Sequence, residues 1–347
     1  MCTLVSTIKI IYNYGDVKKL YWVICMYKLK NDFKQYNDSI YVYMQELIKN
    51  CTKKFQTQVK AGEIIDKVND SMGLARLVYY LEDYLYYVFQ NSPADFNHVF
   101  NSIMNGVRTI AVLPYDYRWK IYGRTEEDEK TIYVNPDLKG STSLTGEERQ
   151  KLYVAHELGH IVNGKWMDKA LSYVYRLRIP MEKADLIYQG FSMLDEAISQ
   201  NRAENFAYDS SRKHRPKLGY YRAERMFGGE KYKTNFDYYG ELQEPAVMFA
   251  RTLRGLGKIN NDEKVLDLLS ERAMNPDFFD SIIKEYKKDG HAKDLLFVLT
   301  YMGLIKKASY ANFGQDDINY LLNSRSYLEK LIETTEELRD YREPVKD

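Results

Sequence analysis

The stretch VAHELGHIVNG, at residues 154–164, contains two histidines four residues apart, with a glutamate directly after the first. Apolar residues recur around these polar positions at three- and four-residue spacing, which predicts an amphipathic helix. Residues i and i+4 lie on one face of a helix, so His156 and His160 can direct both imidazoles at one metal ion. Glu157 lies beside the first ligand, where its carboxylate can reach a metal-bound water. The stretch therefore predicts a zinc site on a helix.

The ends of this helix also have sequence signals. Thr145 and Glu148 have the spacing of a capping box, and Asn163-Gly164 suits a left-handed C-terminal cap. Together they predict a helix of about twenty residues that ends at Asn163-Gly164. Gly159 costs about 1 kcal/mol relative to alanine inside a helix. We expect this small residue to allow close packing against a neighbouring element.

The pattern HELGH is the HExxH signature of zinc metallopeptidases. A catalytic zinc site also needs a third protein ligand and an open coordination position. The metzincin continuation is excluded, because Asn163 and Trp166 stand where that class has a glycine and a third histidine. The third ligand must come from another part of the chain.

The segment LDEAISQNRAENFAY, residues 194–208, contains the best candidate. Here the chain resembles the gluzincins, HExxH peptidases whose third ligand is a glutamate on a downstream helix. In that superfamily the glutamate typically follows Asp or Asn and precedes small residues, so the resemblance points to Glu196, 36 residues after His160. It also implies that Asp195 orients a zinc histidine. The resemblance covers about residues 106–213.

Glu204, in the sequence AENFA, is a competing third ligand. That stretch is similar to the second motif of ImmA/IrrE-type peptidases, which cleave transcriptional repressors and whose motif resembles ExEANxFA. Two positions are transposed here, and Glu204 follows His160 by 44 residues. Glu196 ranks first, and both glutamates remain open because they lie about two helical turns apart.

An oxyanion stabiliser is expected near such a metal ion. Tyr188 precedes Glu196 by eight residues, and some toxin-type gluzincins of the anthrax lethal factor family have a tyrosine at about that offset. Tyr208 and His214 are the alternatives.

Residues 106–124 and 131–138 are rich in β-branched and aromatic residues and predict three strands, with a turn at 114–116. Most of the remaining chain has helical periodicity, so we predict a mainly helical α+β fold. In gluzincin-like folds a small antiparallel sheet precedes the HExxH helix and packs against it. An edge strand of that sheet can bind substrate backbone, a role predicted for residues 131–138.

Three regions are predicted from these patterns. Residues 1–105 form a mostly helical N-terminal region, 106–215 a zincin-like catalytic core, and 216–347 a C-terminal helical region. Residues 1–25 lack a structural pattern and are expected to be unstructured, and both Met1 and Met26 are compatible with the start of translation.

The amino-acid composition and net charge indicate which classes of binding partner to expect. The chain has 347 residues, of which 45% are hydrophobic and 29% charged, as is usual for a soluble globular protein. A formal net charge of +1 gives no reason to expect nucleic acid or a membrane as a partner. No signal peptide and no run of about 18 apolar residues is present, so a cytoplasmic protein is expected. The three cysteines form no CxxC motif, which argues against a thiolate zinc site.

The sequence as a whole predicts a zinc metallopeptidase, an endopeptidase that hydrolyses a protein or peptide through a zinc-bound water activated by Glu157. One alternative is an ImmA/IrrE-like regulatory peptidase. Another is a non-catalytic interaction protein with a zincin fold. The presence of Glu157 favours an enzyme, because that residue serves the chemistry and not metal binding.

Overall fold

The computed structural model describes most of the chain. The described residues are 34–118, 121, 123–126, 128–136, 146–207, 238–253, 255–257, 259–288, 292–310, 323 and 326. The predictions for residues 1–25, Thr145, Tyr208 and His214 lie outside this set, as does the predicted boundary at residue 215.

The described residues are mainly helical, which confirms the coarse prediction of an α+β fold. The helices are α1 Lys34–Ala61, α2 Lys67–Asn91, α3 Phe96–Gly106, α4 Gly146–Arg176, α5 Met181–Ala207, α6 Tyr238–Arg251, α7 Asp262–Arg272, α8 Phe278–Lys288 and α9 Ala292–Tyr310. Among the described residues, no helix is both long enough and apolar enough to cross a bilayer.

A small sheet lies between α3 and α4 in the sequence. Its topology differs from the prediction in two respects. It contains β1 Thr109–Val112, β2 Gly123–Glu126 and β3 Thr131–Val134, in the order β1-β3-β2. The predicted antiparallel sheet is wrong, because β1 pairs with β3 in parallel and only β2 pairs with β3 antiparallel. The predicted edge strand at 131–138 is also wrong, because β3 has a partner on each side. Among the strands that the structure describes, β1 and β2 are at the edges of the sheet.

The chain divides into two compact units, residues 1–157 and 158–347, with the division inside α4. In the first unit, helix α1 is joined to the β1 region by buried side chains. Gln58 Nε2 donates to Val112 O at 2.7 Å, and Tyr43 Oη donates to Val107 O at 3.0 Å. The three-region division at residues 105 and 215 stays a prediction.

The second unit has its core around α5 and α9. Large buried side chains of this core include Trp166, Phe191, Phe249, Phe278 and Tyr301. The two helices cross at glycines: a Cβ on Gly190 would lie 2.1 Å from the carbonyl oxygen of Leu299, and one on Gly303 would lie 1.9 Å from that of Leu186. Only residues without a side chain allow the two backbones to approach so closely.

Helix α4 is longer than predicted. It continues to Arg176, so the expected end at Asn163-Gly164 is wrong. The reason is tertiary: the Asn163 side chain is fully buried and bonded to α5, and it does not cap the helix. Trp166, Ala170 and Val174 continue the apolar face into the core of the second unit.

Candidate metal centre

Three side chains from α4 and α5 meet at one point. His156, His160 and Glu196 each offer a ligand atom, and these atoms all lie within 4.8 Å of one another. Across the two helices, His160 Nε2 lies 3.7 Å from Glu196 Oε2. His156 is buried, whereas the other two are half-buried. The structure therefore brings together the three residues that the sequence predicted as ligands.

The donor set fits a zinc ion. Two imidazoles and one carboxylate are a known three-ligand set of catalytic zinc sites, with bonds of about 2.0–2.2 Å. In a tetrahedral site such bonds put neighbouring ligand atoms about 3.4 Å apart. The 3.7 Å between His160 Nε2 and Glu196 Oε2 would need to shrink by only a few tenths of an ångström.

The ring of His160 is oriented by Asp195. Its Nδ1 lies 2.7 Å from Asp195 Oδ2. A carboxylate oxygen accepts hydrogen bonds, so Nδ1 is the ring nitrogen that carries the proton in the neutral imidazole. The lone pair is then on Nε2, the nitrogen nearest Glu196. The contact expected between Asp195 and a histidine of the motif is present.

Gly159 allows α5 to approach α4 beside this histidine. A Cβ at Gly159 would lie 2.7–2.9 Å from the Oγ, Cβ and Cα atoms of Ser199. Ser199 Oγ in turn lies 3.5 Å from His160 Nδ1. The expectation that Gly159 serves close packing is confirmed.

Glu157 is held by the sheet. Its side chain is 7% exposed, and its Oε2 accepts a hydrogen bond of 2.6 Å from Thr125 Oγ1 on β2. No sequence pattern indicated Thr125, because the neighbours of a strand residue depend on the register of β2 against β3. The carboxylate proposed for acid–base work is thus fixed by an uncharged donor.

A buried lysine lies near the carboxylates of α5. Lys306, on α9, donates to Ser192 Oγ at 2.5 Å. Burial lowers the pKa of its ammonium group, while the charges of Glu196 and Asp195 act in the opposite direction. Lys306 follows Glu196 by 110 residues, and no local pattern marks it as part of the site.

The remaining predicted residues are placed as follows. Tyr188 is half-buried on α5, about 12 Å along the helix axis before Glu196, and its catalytic role stays a prediction. Glu204 is buried and accepts a hydrogen bond of 2.8 Å from Gln200 Nε2. It is not a member of the metal-binding group formed by the described residues.

No protein-family model, curated protein or solved structure matches this chain. We therefore infer its function from the motif and from the geometry of these side chains.

Proposed function

We propose that the protein is a zinc-dependent metallopeptidase of the gluzincin type, an endopeptidase acting on a protein or peptide. The observation that carries the proposal is the convergence of Glu196 with His156 and His160 within 4.8 Å. HExxH is a short pattern that also arises by chance. A carboxylate 36 residues further along the chain reaches the same point only if the fold brings it there.

Different residues are proposed to bind the metal, to transfer the proton and to stabilise the oxyanion. His156, His160 and Glu196 would hold the zinc ion, which when bound would acidify a water molecule and polarise the substrate carbonyl. Glu157 accepts the proton of the attacking water and delivers it to the leaving amine. Tyr188 is proposed to donate a hydrogen bond to the oxyanion.

An extended substrate is proposed to bind along β2. In the described part of the chain this strand is at an edge of the sheet, so its outer backbone groups are proposed to pair with an added strand. Thr125 lies on β2 and bonds Glu157, and a peptide paired there would pass close to the proton acceptor. The edge-strand role that the sequence assigned to residues 131–138 is moved to β2.

The ImmA/IrrE-like alternative depends on Glu204 as a ligand. The hydrogen bond between Glu204 and Gln200 favours Glu196 instead. A non-catalytic zincin-fold protein would bind zinc equally well, so metal content alone does not separate it from an enzyme. The variant Glu157→Gln does, since it removes the proton acceptor and leaves the three ligands in place.

The test is the zinc content of the purified full-length chain, measured by elemental analysis for wild type, His156→Ala, Glu196→Gln and Glu204→Gln. We expect about one zinc per chain in wild type and in Glu204→Gln. We expect loss in His156→Ala and strong depletion in Glu196→Gln. If Glu204→Gln loses zinc and Glu196→Gln does not, Glu204 is the third ligand. A wild type that binds no zinc when the ion is supplied would end the peptidase proposal.

A further inference from the structure

We infer that Asn163 and Arg202 are positioning residues for His160 and that they tie its ring to the last turn of α7. The inference concerns the second unit alone, and it rests on the proposed function only for the identity of the ion. His160, Asn163, Asp195 and Arg202 form one hydrogen-bonded series that ends on the backbone of Ser270.

The series is short and buried. Arg202, which is 2% exposed, donates from Nε and Nη2 to Ser270 O at 3.2 and 2.8 Å. Its Nη1 donates to Asn163 Oδ1 at 2.7 Å. Asn163 Nδ2 donates to Asp195 Oδ1, also at 2.7 Å. The other oxygen of Asp195 accepts from His160 Nδ1.

Each side chain in this series can form its hydrogen bonds with only one assignment of donor and acceptor. A guanidinium only donates, so the atom of Asn163 that faces Arg202 must be the amide oxygen. The amide nitrogen then faces Asp195, which as a carboxylate only accepts. Asp195 is left to accept from Nδ1 of His160. Asp195 therefore selects the tautomer of His160 with its lone pair on Nε2, and Asn163 and Arg202 hold the carboxylate where it does so.

Packing alone does not account for Arg202. Burying a guanidinium has a large desolvation cost that an apolar side chain would avoid. Helices α5 and α7 are already joined by Asn201 and Asn205, which both donate to Asp267 Oδ1 at 3.0 and 2.7 Å. The separate contribution of Arg202 is its bond to Asn163. The positive charge of Arg202 polarises the side-chain amide of Asn163. The polarised amide in turn stabilises the negative charge of Asp195, which orients His160.

The test compares zinc affinity in the full-length chain, by competition with a chromophoric chelator, for Arg202→Met, Asn163→Leu and the control Asn205→Ala. Partners of metal-binding histidines typically change affinity about 10–100-fold. We expect weakening near the low end of that range, about 10-fold, for the first two variants, because both residues act on His160 through Asp195. The control also breaks a bond between α5 and α7, and we expect it to bind zinc as wild type does. Equal affinity in wild type and in folded Arg202→Met would overturn the inference.

A second readout does not depend on metal. Nitrogen-15 NMR of the histidine rings, at a pH where imidazole is neutral, reports which nitrogen of His160 carries the proton. We expect Nδ1–H in wild type and in Asn205→Ala. We expect a mixture of tautomers in Asn163→Leu, because Asp195 loses the amide that holds its Oδ1 and can then rotate away from His160. Unchanged Nδ1–H in Asn163→Leu would contradict the inference. If Arg202→Met does not fold, Arg202→Gln is measured by the same two criteria.

The two readouts separate the inference from the proposed function. A wild type that binds no zinc but loses the Nδ1–H tautomer on Asn163→Leu substitution would refute the metallopeptidase and keep the positioning series. A wild type that binds zinc with the same affinity as both variants would keep the metal site and refute the series.

Discussion

Glu157 and His160 lie one helical turn apart on α4, yet the protein holds them in different ways. Glu157 accepts a hydrogen bond from one neutral hydroxyl, that of Thr125. His160 is bonded to a carboxylate, which in turn is bonded to the amide of Asn163. A strand supports the first residue, and a buried polar series supports the second.

The difference matches the two roles proposed for these residues. A metal ligand works best when its ring orientation and tautomer are fixed before the ion arrives, and charge-assisted bonds provide this. A proton carrier must exchange partners during each turnover, so a single hydroxyl that can rotate away suits it better. The variants below test this contrast, starting with the largest expected effect.

Glu157→Gln should abolish most hydrolysis and leave zinc in place. Removal of a general acid–base group typically costs about 10²–10⁴-fold in rate. The measurement is cleavage of a quenched fluorescent peptide library, together with zinc content. Glu147→Gln, on the exposed side of the same helix, is the matched control and should be fully active. Loss of zinc from Glu157→Gln would place this residue among the ligands and remove the contrast with His160.

Asp195→Asn should weaken zinc binding by about 10–100-fold. The amide can present an N–H to His160 Nδ1, which favours the wrong tautomer. Competition with a chelator measures the effect, and Asp185→Asn, an exposed position on the same helix, is the control. If both variants bind zinc as wild type does, the orientation of His160 is not what fixes metal affinity.

The sequence predicted the parts of this site that depend on local spacing. The i, i+4 pair His156 and His160 follows from helix geometry alone, and the segment LDEA indicated Asp195 and Glu196 by resemblance. Thr125 and Arg202 could not be predicted in this way, because their partners are set by strand register and by helix packing. The same applies to the length of α4: Asn163-Gly164 has the local form of a helix end, but burial of Asn163 against α5 overrides it.

Gly159→Ala should destabilise the fold by about 1–3 kcal/mol, the usual cost of overpacking. The added methyl group would meet Ser199, next to His160. Urea unfolding followed by circular dichroism gives the free energy. Gly164→Ala is the control on the same helix, since nothing lies within 4 Å of its added Cβ, and it should gain up to about 1 kcal/mol from helix propensity. Equal stability changes in the two variants would show that α4 and α5 are not closely packed at Gly159.

Thr125→Val should have the smallest effect. A hydrogen bond to a charged carboxylate is worth about 1.5–3 kcal/mol. Because Thr125 acts only through Glu157, we expect the low end of that range, a decrease in kcat of about 10-fold with zinc content unchanged. Thr125→Ser retains the hydroxyl and should restore the rate. Steady-state kinetics on the best peptide from the library separate kcat from KM. A decrease larger than that of Glu157→Gln would indicate that Thr125 acts on more than Glu157.

The crossing of α5 and α9 has a consequence for how this protein can diverge. Gly190 and Gly303 have no part in the chemistry, yet each faces a backbone carbonyl that leaves no room for a methyl group. If the protein is the proposed peptidase, one substitution at Glu157 would end hydrolysis, whereas neither glycine can change without moving a helix. Relatives that lack the proposed activity should therefore keep this glycine pair, and we expect it to mark common ancestry better than the histidines.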